Sequence, residues 1–174
     1  MKRIVAVGKA GSGKDFFRDY LAKLNVSYDV SYTTRPPRDG EEEGYTYNFI
    51  SEEEFVKLEK GGFFLEAVNF NGKYYGTSME NWNTKEVFIM TPSGLKCIPE
   101  NERKDCIIIY FDIPLKIRRE RLSKRSDWDS VDRRIKVDEE DFKDFNNFDL
   151  RVTNPTYNPM SLYVAIDWLK ENVL

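Results

Sequence analysis

The sequence predicts an α/β protein with a three-layer core built on a parallel sheet. Two observations carry that reading. Short apolar runs alternate along the chain with segments whose apolar residues recur at helical spacing. One run, Ile107-Ile108-Ile109, is apolar at every position, as a strand covered on both faces of a parallel sheet must be. With 174 residues, 12 Phe, 10 Tyr and 3 Trp, the chain is long enough to bury one sizeable core.

The elements follow in order. Ile4-Val5-Ala6-Val7 reads as a first strand, since the apolar run stops at Gly8, too short for a signal-peptide core or a membrane span. A glycine-rich turn follows. Phe17, Tyr20, Leu21 and Leu24 then fall at i, i+3, i+4 and i+7, one face of a helix. Residues 31–50 are polar and aromatic with Pro36-Pro37 and Gly40, which predicts an irregular excursion. Ser51 with Glu54 has the form of a capping box opening a helix to about residue 60, ended by Gly61-Gly62. Residues 63–70 and 73–75 form two strands around the Asn71-Gly72 turn signal. The main sheet resumes at 87–90 and 106–111. A basic helix opens at Asp112-Ile113-Pro114 and runs to about 124, 126–130 interrupts it, and 131–145 is helical again. A last strand covers 150–153, and Leu162, Ile166 and Leu169 mark a closing helix.

Composition narrows the function. Lys and Arg total 27 against 30 Asp and Glu, and a net charge of −3 gives no general reason to expect a nucleic-acid polymer or an anionic membrane as partner. Any phosphate must therefore be gripped locally. There is no histidine, and Cys97 and Cys106 lack a CxxC spacing, which excludes His-based triads, His-containing zinc sites and a disulfide scaffold. A cytoplasmic, reducing compartment is the expected setting.

Gly8-Lys9-Ala10-Gly11-Ser12-Gly13-Lys14 fits G-x-x-x-x-G-K between a strand and a helix, the context that identifies a P-loop NTPase core. Its glycines permit tight curvature, so that successive N–H groups and Lys14 point at phosphates near a helix N-terminus. Asp15 stands where Ser or Thr usually follows the lysine. A carboxylate there suits Mg²⁺ as a hard oxygen ligand, and equally suits the first turn of a helix, where the dipole favours negative charge.

A second constellation follows: Ser31-Tyr32-Thr33-Thr34-Arg35-Pro36-Pro37-Arg38-Asp39-Gly40-Glu41, then Tyr47-Asn48-Phe49, Phe64-Leu65-Glu66 and Tyr74-Tyr75-Gly76-Thr77. Two arginines three apart beside hydroxyls can make a forked cage for a phosphate. In content and order these motifs resemble guanylate kinases. The resemblance implies ATP and GMP or dGMP as substrates, with Arg35, Arg38, Tyr47 and Tyr75 on the GMP phosphate, Glu41 orienting the cage, and Ser31, Glu66 and Thr77 reading guanine. Guanine offers N1–H and N2–H₂ donors to a carboxylate, whereas adenine does not, and a site built on such pairing can discriminate by roughly 10⁴. The resemblance further implies Mg²⁺ arriving with ATP, lid arginines Arg121, Arg125 and Arg134 acting with Lys14 and Arg38 in the transfer, and Asn154 near the adenine. Gly8, Lys9, Ala10, Gly11, Ser12, Gly13, Lys14 and Asp15 would cradle ATP. Its architecture is a core at about 1–30, 85–119 and 136–174, a small mixed β/α GMP-binding insertion at about 31–84 and a short lid at about 120–135, together one domain acting as a monomer or a homodimer.

One departure stands out. After the strand at 87–90 the family shows D-x-D-x-Q-G, and this chain reads Ile89-Met90-Thr91-Pro92-Ser93-Gly94, without either acid. Asp15 either takes over metal support, or the chain binds nucleotides with slow turnover. Two further readings stay open: a kinase of another deoxynucleoside monophosphate, with Thr91 and Ser93 reshaping the base pocket, and a catalytically silent binding module.

Overall fold

The computed structural model describes residues 2–70, 72–125 and 130–172, with the side chains at 169, 170 and 172 outside that description. Strand β1 (Arg3–Val7) is buried along its whole length and turns through glycines into α1 (Lys14–Lys23). Phe17 and Leu21 of α1 are buried, but Leu24 is 38% exposed. The helix stops one residue before it: Leu24 N–H closes a tighter turn on Leu21 O at 2.9 Å, and Asn25 takes a φ of 61°. That turn swings Leu24 off the helix face.

Among the described residues of 31–50, regular structure is confined to β2 (Tyr32–Thr33) and β3 (Asn48–Phe49). Helix α2 (Glu52–Lys60) begins as expected, with the Ser51 side chain accepting from Glu54 N–H at 3.1 Å. Strands β4 (Phe64–Phe70) and β5 (Lys73–Ser78) pair antiparallel around Gly72, whose φ is 74°; Asn71 of the predicted turn lies outside the described residues. β5 runs three residues further than its sequence pattern predicted. Gly76 sits inside it because a β-carbon there would meet the Phe64 and Phe55 rings at about 3 Å.

Helix α3 (Met79–Thr84), β6 (Val87–Met90) and two single turns, α4 (Pro92–Leu95) and α5 (Glu100–Arg103), lead to β7 (Cys106–Phe111). The three helices lack a periodic apolar face in the sequence and were not expected. Helix α6 (Leu115–Ser123) starts after Pro114, which caps it, and α7 (Val131–Asp141) ends four residues short of the expected 145. Residues 126–129 of the predicted interruption are outside the described residues. Ser130 caps α7 by accepting from Arg133 N–H at 3.2 Å. Strand β8 (Leu150–Val152) and α8 (Pro159–Asn172) complete the chain. Leu162 and Ile166 of α8 pack into the core, and the Leu169 side chain lies outside the described residues.

The main sheet has the order β6-β1-β7-β8, all parallel, with Ile4 opposite both Val87 and Ile107. Side chains alternate across it. Ile4, Ala6, Ile107 and Ile109 meet Phe17 and Leu21 of α1 and Ile166 of α8 on one face. Val5, Val7, Phe88, Ile108 and Tyr110 meet Trp82 of α3, Leu95 of α4 and Phe142 beyond α7 on the other. The larger of these side chains contribute about 1.5–3 kcal/mol of burial each, and the charged residue at the start of β1, Arg3, is buried with partners in Trp82 O and Glu102. The second sheet, β3-β2-β5-β4, is mixed, with β2 and β3 parallel. No helix among the described residues is long and apolar enough to cross a membrane.

Candidate active site

The cleft opens beyond the carboxyl ends of β1 and β6, where an open α/β sheet leaves a crevice for a ligand. One wall is the loop after β1. Gly8 has no room for a side chain, since a β-carbon would meet the Phe111 carbonyl oxygen at 2.8 Å. Gly13, at a φ of 95°, takes the N-cap position of α1 with no side chain capping it. The first amides of that helix are thus left for an anion, with the positive end of the helix dipole behind them. Lys14 Nζ folds back on its own loop, donating to Gly8 O, to Lys9 O at 3.3 Å and to Ser12 Oγ at 3.5 Å. Burial lowers its pKa, opposed by the charges of Asp15 and Asp138. Asp15 lines the cleft beside it, with Arg18 at 3.6 Å.

Three residues expected at the nucleotide make their bonds within the protein. Lys9 Nζ pairs with Glu139 at 2.6 Å. Arg121 donates to Gly11 O at 3.0 Å and to Pro155 O at 2.8 Å, bracing the loop from behind. Asn154 Oδ1 accepts from Thr156 N–H and Oγ–H, both at 2.9 Å. It builds the turn that brings Tyr157 to donate to Gly13 O at 3.1 Å.

Across the cleft, Arg35 is only 2% exposed. Its two terminal nitrogens donate to the two oxygens of Glu41 at 2.8 and 2.9 Å, a fork-on-fork pair, and Nη1 also donates to Pro36 O. Glu41 also accepts the Arg38 backbone N–H at 2.8 Å, with the Arg38 guanidinium at 3.6 Å. One carboxylate therefore holds both arginines, and these bonds draw its own pKa below the usual range despite partial burial. The Arg35 guanidinium lies 5.2 Å from the Tyr47 ring centroid. Burial raises the pKa of the Tyr47 hydroxyl, so Tyr47 stays a donor at neutral pH.

The β4–β5 register sets the floor. Glu66 pairs with Thr77 and Val68 with Tyr75, so these side chains share one face. Glu66, Val68, Phe70 and Tyr75 line the cleft, while Thr77 stands behind and donates to Glu66 Oε1 at 3.0 Å. Glu66 Oε2 is buried with no partner in the protein. Burial pushes the Glu66 carboxyl up to about 8, with Thr77 opposing and Asp29 adding to the shift. Ser31 also lines the cleft, and its hydroxyl donates to the buried Asp29, which is held by Asn81 Nδ2 at 2.7 Å.

Arg125 and Arg134 reach the cleft from the α6 and α7 side. Burial, with Arg38 nearby, brings the Arg134 pKa down to about 10. The sequence reading missed four residues here. Asp138 lines the cleft from α7. Arg118, on the basic helix, is 2% exposed and donates to Ile113 O and to Glu139. Asp29 and Gly94 support Ser31 and Glu66. The i, i+4 spacing of Arg134 and Asp138 on one helix was the available signal for Asp138. The others depend on long-range contacts with no local mark.

Ile89 and Met90 end β6 and Thr91 follows it, and all three line the cleft. The Thr91 hydroxyl is used internally, accepting from Gly94 N–H at 3.0 Å to cap α4. Among the described residues no group of three or more Cys, Asp or Glu could hold a metal ion. Asp15 offers a partly exposed carboxylate on the nucleotide side, which fits an ion that keeps its waters and takes most of its other ligands from phosphates.

Comparison with known proteins agrees with this geometry. The guanylate kinase family model matches residues 1–160. The chain is 33% identical over 162 residues to the guanylate kinase of Wolinella succinogenes, covering 87% of this chain and 75% of that protein. It is 36% identical over 169 residues to that of Rubrobacter xylanophilus, covering 88% and 86%. The crystal structure of guanylate kinase from Anaplasma phagocytophilum superposes with a TM-score of 0.71 over 98% of this chain and 85% of that one, at 20% identity, a likeness of fold. The chain belongs to the guanylate kinase family.

Proposed function

We propose that this chain transfers the γ-phosphate of ATP to GMP or dGMP, giving ADP and GDP or dGDP, with the site residues in the following roles. The loop at residues 8–15 and Lys14 hold the ATP phosphates. Arg35, Arg38, Tyr47 and Tyr75 hold the phosphate of the acceptor, with Glu41 fixing both arginines. Ser31, Glu66 and Thr77 read the guanine, with Thr77 also holding Glu66. Arg125 and Arg134 close on the phosphoryl in flight, while Arg121 and Asn154 act through the loop they brace. The core, the GMP-binding insertion at about 31–84 and the lid at about 120–135 divide these tasks.

The observation that carries the reading is the order of groups along one cleft: phosphate loop, arginine cage, buried carboxylate with an unpartnered oxygen. A triphosphate, a monophosphate and a base with two adjacent N–H donors satisfy these groups in that order. Phosphoryl transfer asks for alignment and charge neutralisation, which arginines and backbone amides supply without a histidine. Mg²⁺ bound with ATP would neutralise phosphate charge, with Asp15 as the protein oxygen on that side. The loop amides, Lys14 and the lid arginines orient the donor. The cage fixes the attacking phosphate oxygen, and the buried walls keep water from accepting the phosphoryl. The test is ADP release from ATP and Mg²⁺ with GMP, dGMP, AMP and dTMP offered separately. Turnover confined to GMP and dGMP is the expected result. Equal rates with AMP would remove Glu66 from base recognition, and GMP binding without ADP release would leave a binding module.

A further inference from the structure

One amide of the phosphate loop already has an anionic partner. Asp138 Oδ2, on α7, accepts the Ala10 N–H at 2.8 Å. Asp138 is 2% exposed and lines the same cleft as Lys14. The next residue, Glu139, accepts from Lys9 Nζ at 2.6 Å and from Arg118 at 2.7 Å, so α7 ties down two successive loop residues. Arg134 lies one helical turn before Asp138 and lines the cleft as well.

Phosphate loops work because their amides point at anion oxygens. A carboxylate oxygen and a phosphate oxygen cannot both take the Ala10 N–H in good geometry, and their charges repel. Arg134 has the opposite requirement, since a triphosphate in the loop attracts it. Residues four apart share one helix face about 6 Å apart along its axis, so a shift of α7 along that axis, with the long Arg134 side chain reaching the rest of the way, exchanges one for the other.

We propose that Asp138 is a latch on the phosphate loop: it holds Ala10 in the nucleotide-free enzyme, and the ATP phosphates displace it and draw Arg134 of the same helix into its place. Asp138 is then a positioning residue that sets what ATP binding must overcome and links that binding to movement of α7. A latch closed 90–99% of the time weakens apparent ATP affinity about 10- to 100-fold. The proposal rests on reading the loop as the ATP site.

The test is calorimetric binding of a non-hydrolysable ATP analogue with Mg²⁺ to the wild-type chain and to Asp138→Ala and Asp138→Asn. Asp138 also lies 3.6 Å from the buried Arg118 Nη1, so both variants should lose some stability, but Arg118 keeps Glu139 and the Ile113 carbonyl and the fold should survive. The alanine variant should bind the analogue about tenfold tighter or better, the asparagine variant less so because it keeps an acceptor, and GMP affinity should not move. Unchanged or weaker analogue binding in a folded variant overturns the latch. On the wild-type chain, the Asp138 carboxyl ¹³C resonance should shift with the analogue and not with GMP; no shift at saturation also overturns it. Failure of the wild-type chain to bind the analogue would instead refute the reading of the loop.

Discussion

The carboxylate of Glu66 occupies the space that a side chain on Gly94 would need: a β-carbon there would lie 1.9 Å from Glu66 Oε2. Glu66 comes from β4 and Gly94 from the turn α4, so the carboxylate proposed to read the base is aimed by a residue 28 positions away. Gly94→Ala should therefore push the carboxylate off its position. GMP binding should weaken at least about tenfold, part of the roughly 10⁴ that a fully paired site can supply, while an ATP analogue binds as before. Calorimetry with both ligands checks this. Equal loss for both would mean that α4 and β6 had shifted as a whole.

The Glu66 carboxyl, pushed up to about 8 by burial, gives GMP binding a pH dependence. In the empty site it is mostly protonated at pH 7, yet guanine's N–H donors need the carboxylate. Binding therefore releases a proton, and affinity should rise about tenfold per pH unit between pH 6 and 7.5 before levelling above 8. The opposite slope would contradict the assignment. Glu66→Gln should flatten the profile and weaken GMP far more than ATP.

How much of this was legible beforehand depends on the range of the interaction that decides each feature. The strands around Val5 and Ile108 and the loop at 8–14 were readable because apolar period and glycine spacing are local properties. So was the cap at Ser51. The helix α3 was not, because Trp82 is fixed by packing on Phe88 and by its indole N–H donating to Glu102, neither of which leaves a period in the sequence. In the site, Arg35, Glu41 and Glu66 came from a motif, and Glu41 bonds both Arg35 and Arg38. Arg118 carries no local mark of its burial, because that burial depends on Glu139 and Asp138 of α7. Arg121, expected at the nucleotide, donates to carbonyls of the loop and of Pro155, contacts that leave no mark in the sequence.

Glu41 holds a buried charge in place, so its removal should cost stability as well as binding. Glu41→Gln leaves the Arg35 guanidinium 2% exposed without a counter-charge, a change that costs about 3 kcal/mol in comparable buried pairs. Thermal melting should fall by several degrees in the empty protein. GMP should restore part of that loss, because its phosphate supplies the missing negative charge. A variant as stable as wild type, with unchanged GMP affinity, would show that Arg35 needs no anion at this position.

Lys14 makes its bonds to its own loop, to Gly8 O, Lys9 O and Ser12 Oγ, so it contributes little to the core. Lys14→Ala should leave the circular dichroism spectrum and GMP binding intact while turnover falls by a factor of about 10³ or more, the scale seen when a group aimed at developing phosphate charge is lost. Full activity in this variant would remove the loop from the transfer step.

Asp15 separates two roles that its position allows. Its carboxylate is about half exposed beside Arg18 and faces the cleft, in the first turn of α1. As a first-turn anion it contributes about 0.3–1 kcal/mol through the helix dipole and nothing specific to metal. As the protein oxygen that supports Mg²⁺ on ATP, it sets how much metal the reaction needs. Asp15→Asn keeps the size and loses the charge. The expected result is a rise of about tenfold in the Mg²⁺ concentration for half-maximal rate, matched by weaker Mn²⁺ binding to the protein–ATP complex in spin-resonance titration. ATP binding without metal should stay equal or tighten, since a negative charge near the phosphates is gone. A small loss of thermal stability with an unchanged metal requirement would instead assign Asp15 to the helix, and the missing acids at Ile89 and Thr91 would then have no substitute at this position.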